Sequence, residues 1–274
     1  MDIRSTITLN NQVKIPCFGL GVFQAKNGDE AYHSILGALD AGYRHIDTAA
    51  IYGNEESVGK ALKDSGIPRE EIFVTTKLWN EETRKGTQRE AFKQSLKRLG
   101  LDYVDLYLMH WPVREKIVES WNIMEEIYKS GGARAIGVSN FQTRDLDTVL
   151  ASGSVVPAVN QIELHPLLTQ EELVDYSKSK GIEIEVWSPL ARNLLMDNPV
   201  LGKIAEKYDK TIAQVILRWD LDHGYIVFPK SVHKDRIIAN SQIFDFHLTP
   251  DEIKSIDGLN QNRRTGADPE NFPF

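Results

Sequence analysis

A chain of 274 residues, 41% hydrophobic and 26% charged, has ample apolar material for a large core. Its 32 basic and 39 acidic side chains leave a net charge of −7, which argues against nucleic acid and an anionic membrane surface as partners. One cysteine, Cys17, rules out an intrachain disulfide and a cysteine-built metal cage. Met1 to Lys14 lack the apolar run of a signal peptide, and no stretch approaches the ~18 apolar residues of a membrane span. The expected address is the cytoplasm.

In chain order, residues 7–9 and 13–15 flank Asn10-Asn11-Gln12 and predict a hairpin. Short β-branched or apolar runs then alternate with longer segments of helical period. The runs are 18–23, 43–49, 72–78, 104–110, 135–139, 159–164, 182–187 and 226–229. Asp40-Ala41-Gly42 closes the first helix, and Gly100 ends the one carrying Phe92, Leu96 and Leu99. Val118, Trp121, Met124, Ile127 and Tyr128 mark another amphipathic helix. Two helices, 199–207 and 211–223, fit between the seventh and eighth runs. A final helix starts at Thr249-Pro250, with Thr249 as N-cap and Pro250 in the first helical position.

Eight βα repeats over this length predict an α/β fold, a (β/α)8 TIM barrel formed by one domain over residues 1–274. The hairpin precedes the barrel, and extra helices stand between strand seven and helix seven and at the C-terminus. A doubly wound sheet would bring a G-x-G-x-x-G turn. Gly19-Leu20-Gly21 supplies its first half, but Gln24 stands where the last glycine belongs.

In such a barrel the C-terminal strand ends carry the chemistry. The second delivers Asp47, with Tyr52 five residues on; the third delivers Lys77 and the fourth His110. Reducing a carbonyl creates an alkoxide, which needs a proton and a field favouring negative charge. Tyr52 would supply the proton. Lys77 would lower the phenol's pKa, Asp47 would partner that lysine, and His110 would orient the carbonyl.

Three spaced motifs make the chain resemble the aldo-keto reductases. The first is Gly42-Tyr43-Arg44-His45-Ile46-Asp47-Thr48-Ala49 with Tyr52-Gly53-Asn54-Glu55 and Val58-Gly59. The second is Arg134-Ala135-Ile136-Gly137-Val138-Ser139-Asn140-Phe141. The third is Pro229-Lys230-Ser231 with Arg236 and Asn240. The resemblance runs from about Leu9 to the C-terminus and is to the short bacterial-type members, such as reductases of diketo-gluconate, methylglyoxal and aldehydes.

The resemblance implies that NADPH is the cofactor and that a small aldehyde or ketone, a dicarbonyl or a keto-sugar, is the substrate. It implies that Ser139, Asn140 and Gln161 hold the nicotinamide carboxamide and that Trp187 stacks on its ring. Ser188 and Leu190 would follow the pyrophosphate, with Val22 nearby. Lys230, Ser231, Val232, Arg236 and Asn240 would take the adenosine end, where bidentate Arg and a Lys point charge suit a 2′-phosphate. Ala239 departs from the pattern, standing where many relatives carry a Glu that helps hold adenine. Phe23, Ile51, Trp79 and Trp111 would line the substrate pocket, and the tail 269–274 would reach over it. No metal is implied, and the protein would act as a monomer. The alternative is a barrel that binds NADPH in a regulatory or structural role with little turnover.

Overall fold

The computed structural model describes residues 1–272; Pro273 and Phe274, part of the tail expected over the pocket, lie outside the described residues. A hairpin opens the chain, β1 (Thr6–Thr8) pairing antiparallel with β2 (Lys14–Pro16). Eight parallel strands follow. They are β3 (Leu20–Gly21), β4 (His45–Asp47), β5 (Phe73–Leu78), β6 (Val104–Met109), β7 (Ala133–Ser139), β8 (Val159–Glu163), β9 (Glu183–Trp187) and β10 (Ile226–Val227). Each pairs with the next in sequence, and bridges Phe18–Val227 and Gly21–Lys230 join the two ends, so the sheet curls round on itself.

The eight predicted strands are all present, but the first and last are shorter than 18–23 and 226–229. Their seam rests on isolated bonds: Gly19 N donates to Val227 O at 2.9 Å and Gly21 N to Pro229 O at 3.3 Å. Pro229 has no N–H with which to continue the ladder.

The helices are α1 (Asp29–Asp40), α2 (Glu55–Asp64), α3 (Asn80–Lys85), α4 (Gln88–Leu99), α5 (Ile117–Lys129) and α6 (Thr143–Ser152). They continue with α7 (Glu171–Ser179), α8 (Pro199–Tyr208), α9 (Ile212–Asp222), α10 (Lys234–Ser241) and α11 (Pro250–Asp257). As predicted, α8 and α9 fill the interval before the last strand, and the Thr249 side chain accepts from Glu252 N at the start of α11. Gly100 ends α4 in the left-handed region, φ 64°. α3 was not anticipated, because six residues rich in Glu, Arg and Lys show no apolar period. Gly59 of the first motif has a steric reason: a Cβ there would lie 2.0 Å from Leu99 O, so α2 meets the end of α4 backbone to side-chain-free backbone.

Inside the barrel, Phe73, Leu106, Leu108, Val159 and Ile226 form an apolar cluster with Leu9 and Ile15 of the hairpin. The hairpin turn is tied to the loops entering the strands, Asn10 Nδ2 donating to Pro157 O (2.9 Å) and Gly181 O (3.1 Å), and Asn11 Nδ2 to Arg134 O (2.9 Å). The N-terminal mouth is thus plugged, which leaves the C-terminal strand ends as the open face. Among the described residues, no helix is long and apolar enough to cross a membrane.

Candidate active site

Asp47 is the last residue of β4, Lys77 lies near the end of β5, Tyr52 sits in the short 3-10 turn Ala50–Tyr52, and His110 follows β6. The lysine side chain is fully buried. Its Nζ donates to Asp47 Oδ1 at 2.6 Å, Thr48 O at 2.9 Å and the Tyr52 hydroxyl at 3.4 Å, which uses all three ammonium protons. The other carboxylate oxygen, Asp47 Oδ2, accepts from Gln161 Nε2 at 2.9 Å. The His110 ring stands edge-on to Tyr52, centroids 5.6 Å apart. All four residues expected to carry the chemistry therefore meet at one rim.

Burial works against the Lys77 charge, but Asp47, joined by Tyr52 and Glu185 once these ionise at high pH, outweighs it and holds its pKa above the usual lysine value. Burial likewise pushes Asp47 above the ordinary carboxylate range, against the pull of Lys77 and Gln161. The 2.6 Å contact and the further donor Gln161 Nε2 on the carboxylate make the two an ion pair. Tyr52 corrects the sequence expectation. Lys77 does favour its phenolate, but burial is the larger influence and Asp47 acts with it, so the phenol titrates higher than normal. It is a neutral acid at pH 7. Burial, then Lys77, pushes His110 well below the usual histidine value, leaving a neutral imidazole.

Ser139 and Asn140 close β7 and Gln161 lies on β8 beside them, Val138 and Ser139 pairing with Asn160 and Gln161. Ser139 Oγ donates to Gln161 O at 2.9 Å. Asn140, at φ 64°, donates from Nδ2 to His110 O at 3.0 Å and accepts from Trp187 Nε1 at 2.8 Å. Ser188 is also left-handed, φ 58°, so the chain turns sharply at the end of β9 towards Leu190. Val22 N donates to Asp47 O, placing the first loop against the same rim. These residues, predicted from separate motifs, form one continuous edge.

Lys230 and Arg236 are exposed and form no ion pair among the described residues. Ser231 and Asn240 are buried, Val232 is half-buried, and α10 begins at Lys234 with no side-chain cap from His233. An uncapped helix start beside two uncommitted basic groups suits a phosphate. At Gly21 a Cβ would lie 2.9 Å from Phe228 O, so the first strand runs tightly against the last at this edge. The residues present fit a phosphorylated dinucleotide.

Around the tetrad stands an aromatic wall. Phe23, half exposed, lies 5.0 Å from the Tyr52 ring and Trp79 5.2 Å from His110. Trp111 stacks on Phe272 of the tail at 4.4 Å and 10°. Ile51, also half exposed, precedes Tyr52 in the same turn. The described part of the tail does reach this wall.

Sequence reasoning missed three buried polar residues. Asn54 donates to Val22 O and Ala25 O and accepts from Thr48, bracing the first loop; its motif position was the available signal. Glu163 accepts from Thr265 N, Thr265 Oγ1 and Gly266 N and so anchors the tail, where a Cβ on Gly266 would come 2.4 Å from the Trp187 ring. Glu185 lies inside the barrel within reach of Gln161. Alternation along β9, which puts residue 185 on the same side as 187, could have found it.

Residues 17–261 match the model of the Aldo/keto reductase family. The chain is 52% identical over 273 residues to a glyoxal reductase of Bacillus subtilis, covering 100% of this chain and 99% of that protein. It is 47% identical over 272 residues to the methylglyoxal reductase DkgA of Escherichia coli, covering 98% of each. A crystal structure of a Bombyx mori aldo-keto reductase in complex with NADP superposes with a TM-score of 0.92 at 38% identity, covering 100% of this chain and 99% of that one. With a curled eight-stranded parallel sheet, a Tyr–Lys–Asp–His rim and similarity along its whole length, this chain is an oxidoreductase that belongs to the aldo/keto reductase family.

Proposed function

We propose that the protein reduces small aldehydes and ketones, dicarbonyls and keto-sugars among them, with NADPH, and that Tyr52 delivers the proton. The observation that carries this reading is the buried Lys77 ammonium touching both Asp47 and the Tyr52 hydroxyl. Relatives named for glyoxal and methylglyoxal, and one crystallised with NADP, support the substrate and cofactor classes.

NADPH, when bound, supplies the hydride. Ser139, Asn140 and Gln161 would hold its carboxamide, Trp187 would back its ring, and Lys230 with Arg236 would take its 2′-phosphate. The neutral His110 can donate one N–H to the carbonyl oxygen and fix its direction. As charge develops on that oxygen, Tyr52 gives up its proton, and the phenolate it becomes lies beside a fixed cation. Lys77 therefore stabilises the proton's departure without itself losing a proton, and Asp47 keeps the lysine charged. The apolar wall of Phe23, Ile51, Trp79 and Trp111 excludes water and selects a small substrate.

The test follows NADPH absorbance with glyoxal, methylglyoxal and a keto-sugar, for the wild type and Tyr52→Phe. Loss of a general acid should lower kcat by about 10²–10⁴-fold in a protein that still folds and binds NADPH. Equal turnover by the two would remove Tyr52 from this role.

A further inference from the structure

Glu185 sits in β9, fully buried inside the barrel. It is boxed in by three other strands. From β8, Gln161 Nε2 donates to its Oε2 at 3.1 Å; from β4, His45 Nε2 lies 3.9 Å from its Oε1. From β5, Thr75 meets that same histidine nitrogen at 3.1 Å, and the Lys77 charge is also felt at this carboxyl. Asp47, on β4, is the other acid of the group.

The informative contact is the shared amide. Gln161 Nε2 donates to Asp47 Oδ2 at 2.9 Å and to Glu185 Oε2 at 3.1 Å, so both of its protons are committed to carboxyl oxygens. Turning the amide over would bring its carbonyl oxygen against those of Asp47. Two carboxyl groups thus hold the nitrogen inwards. Among the described residues Gln161 Oε1 accepts no hydrogen bond, and it is not one of the side-chain atoms sealed from solvent without a partner. It is the end presented to the cleft.

We propose that Glu185 is a positioning residue of the reductase: by accepting one Gln161 amide proton, it turns the Gln161 carbonyl oxygen towards the cleft to receive the N–H of the nicotinamide carboxamide. This rests on the reading of Gln161 as a carboxamide contact. Orientation of the carboxamide sets the tilt of the attached ring, so a loose Gln161 weakens both the hold on that end of the cofactor and the alignment of its reacting face. Burial, reinforced by Asp47, pushes Glu185 up to about 8, so at neutral pH it acts as an uncharged acceptor and leaves Lys77 with one anionic partner. His45, pushed down by burial to about 3, adds no charge.

The experiment measures NADPH affinity, kcat with methylglyoxal, and affinity for adenosine 2′,5′-bisphosphate, which lacks the nicotinamide. Glu185→Leu should weaken NADPH binding about tenfold and lower kcat at least as much, with adenosine 2′,5′-bisphosphate binding within twofold of wild type. Glu185→Gln, whose amide oxygen can accept the same proton, should recover both to within about threefold. The double variant Glu185→Leu with Gln161→Ala should be no worse than Gln161→Ala alone, because the first residue acts through the second. Should Glu185→Leu not fold, Glu185→Thr takes its place in the same measurements. Wild-type NADPH affinity and kcat in the leucine variant, or additive losses in the double, would overturn the role of Glu185 while leaving the reductase reading intact. A wild type that neither binds nor oxidises NADPH would overturn both.

Discussion

The barrel interior has two floors built from the same strands. At the N-terminal end Phe73 of β5, Leu106 and Leu108 of β6 and Val159 of β8 pack against Leu9 and Ile15 of the hairpin. Near the C-terminal end the same strands supply Lys77 and Gln161, joined by Asp47 and Glu185. Alternation decides only whether a side chain points inwards; height along the strand decides whether it meets hydrocarbon or charge. The lower floor is closed by a plug and contributes packing. The upper one holds groups that favour packing poorly and are kept in place by one another, which is how this fold separates stability from chemistry.

The largest effect that could break this division is expected from Lys77→Met. It leaves Asp47 buried without its cation, so stability should fall by about 3–5 kcal/mol, and the Tyr52 phenolate loses its support. Turnover should drop by about 10³-fold or more, read from kcat beside a urea melt. Substantial activity would mean that the upper floor does not depend on its charge.

Leu106→Ala is the mirror case. A fully buried leucine of the lower floor should cost about 2–5 kcal/mol in a denaturation experiment, while kcat per folded molecule stays within about twofold. A large kcat loss at full folding would show the floors to be coupled.

At the outer edge, Lys230→Met and Arg236→Ala should each raise KM for NADPH about 10–100-fold, in line with losing a charge-assisted hydrogen bond, and leave KM for NADH unchanged. An unaltered ratio of the two cofactors would place the 2′-phosphate elsewhere.

The smallest effect sharpens the contrast between partnered and unpartnered acids. Asp47 has Lys77 and Gln161, but Asp220 on α9 is fully buried and neither of its carboxyl oxygens has a hydrogen-bond partner among the described residues. Burial raises its pKa well above the usual value, so the folded protein keeps this proton after the unfolded chain, ionising near ~4, has lost it. Its presence therefore costs more stability as pH rises from ~4 towards the folded-state pKa. Asp220→Leu should raise Tm by about 2–6 °C at pH 8 and by less at pH 4. An equal gain at both would assign the effect to packing.

Much of this could be read from residues in a row. Strands repeat at every βα unit, and Thr249, Pro250 and Gly100 act through local backbone geometry, so their roles survive without knowledge of neighbours. The tetrad was legible for the same reason, since each member sits at or just beyond a strand end and the fold sends all such ends to one face. Glu163 was not legible, because its partner Thr265 lies 102 positions away and no local pattern announces it. Asn54 carried a signal in its motif position, but the loop it braces, 32 positions away, could not be read from that position alone.

What the order of amino acids determined by itself, then, was the alternation of strand and helix, the charge, and which side chains would stand at the rim. Only the tertiary structure decided the balance of forces there. Lys77 pulls the Tyr52 proton off and burial holds it on, and their relative strength depends on how much water the surrounding strands exclude, a property of packing in three dimensions. The same exclusion makes Glu185 a neutral acceptor where its sequence neighbours alone would suggest an ordinary charged glutamate.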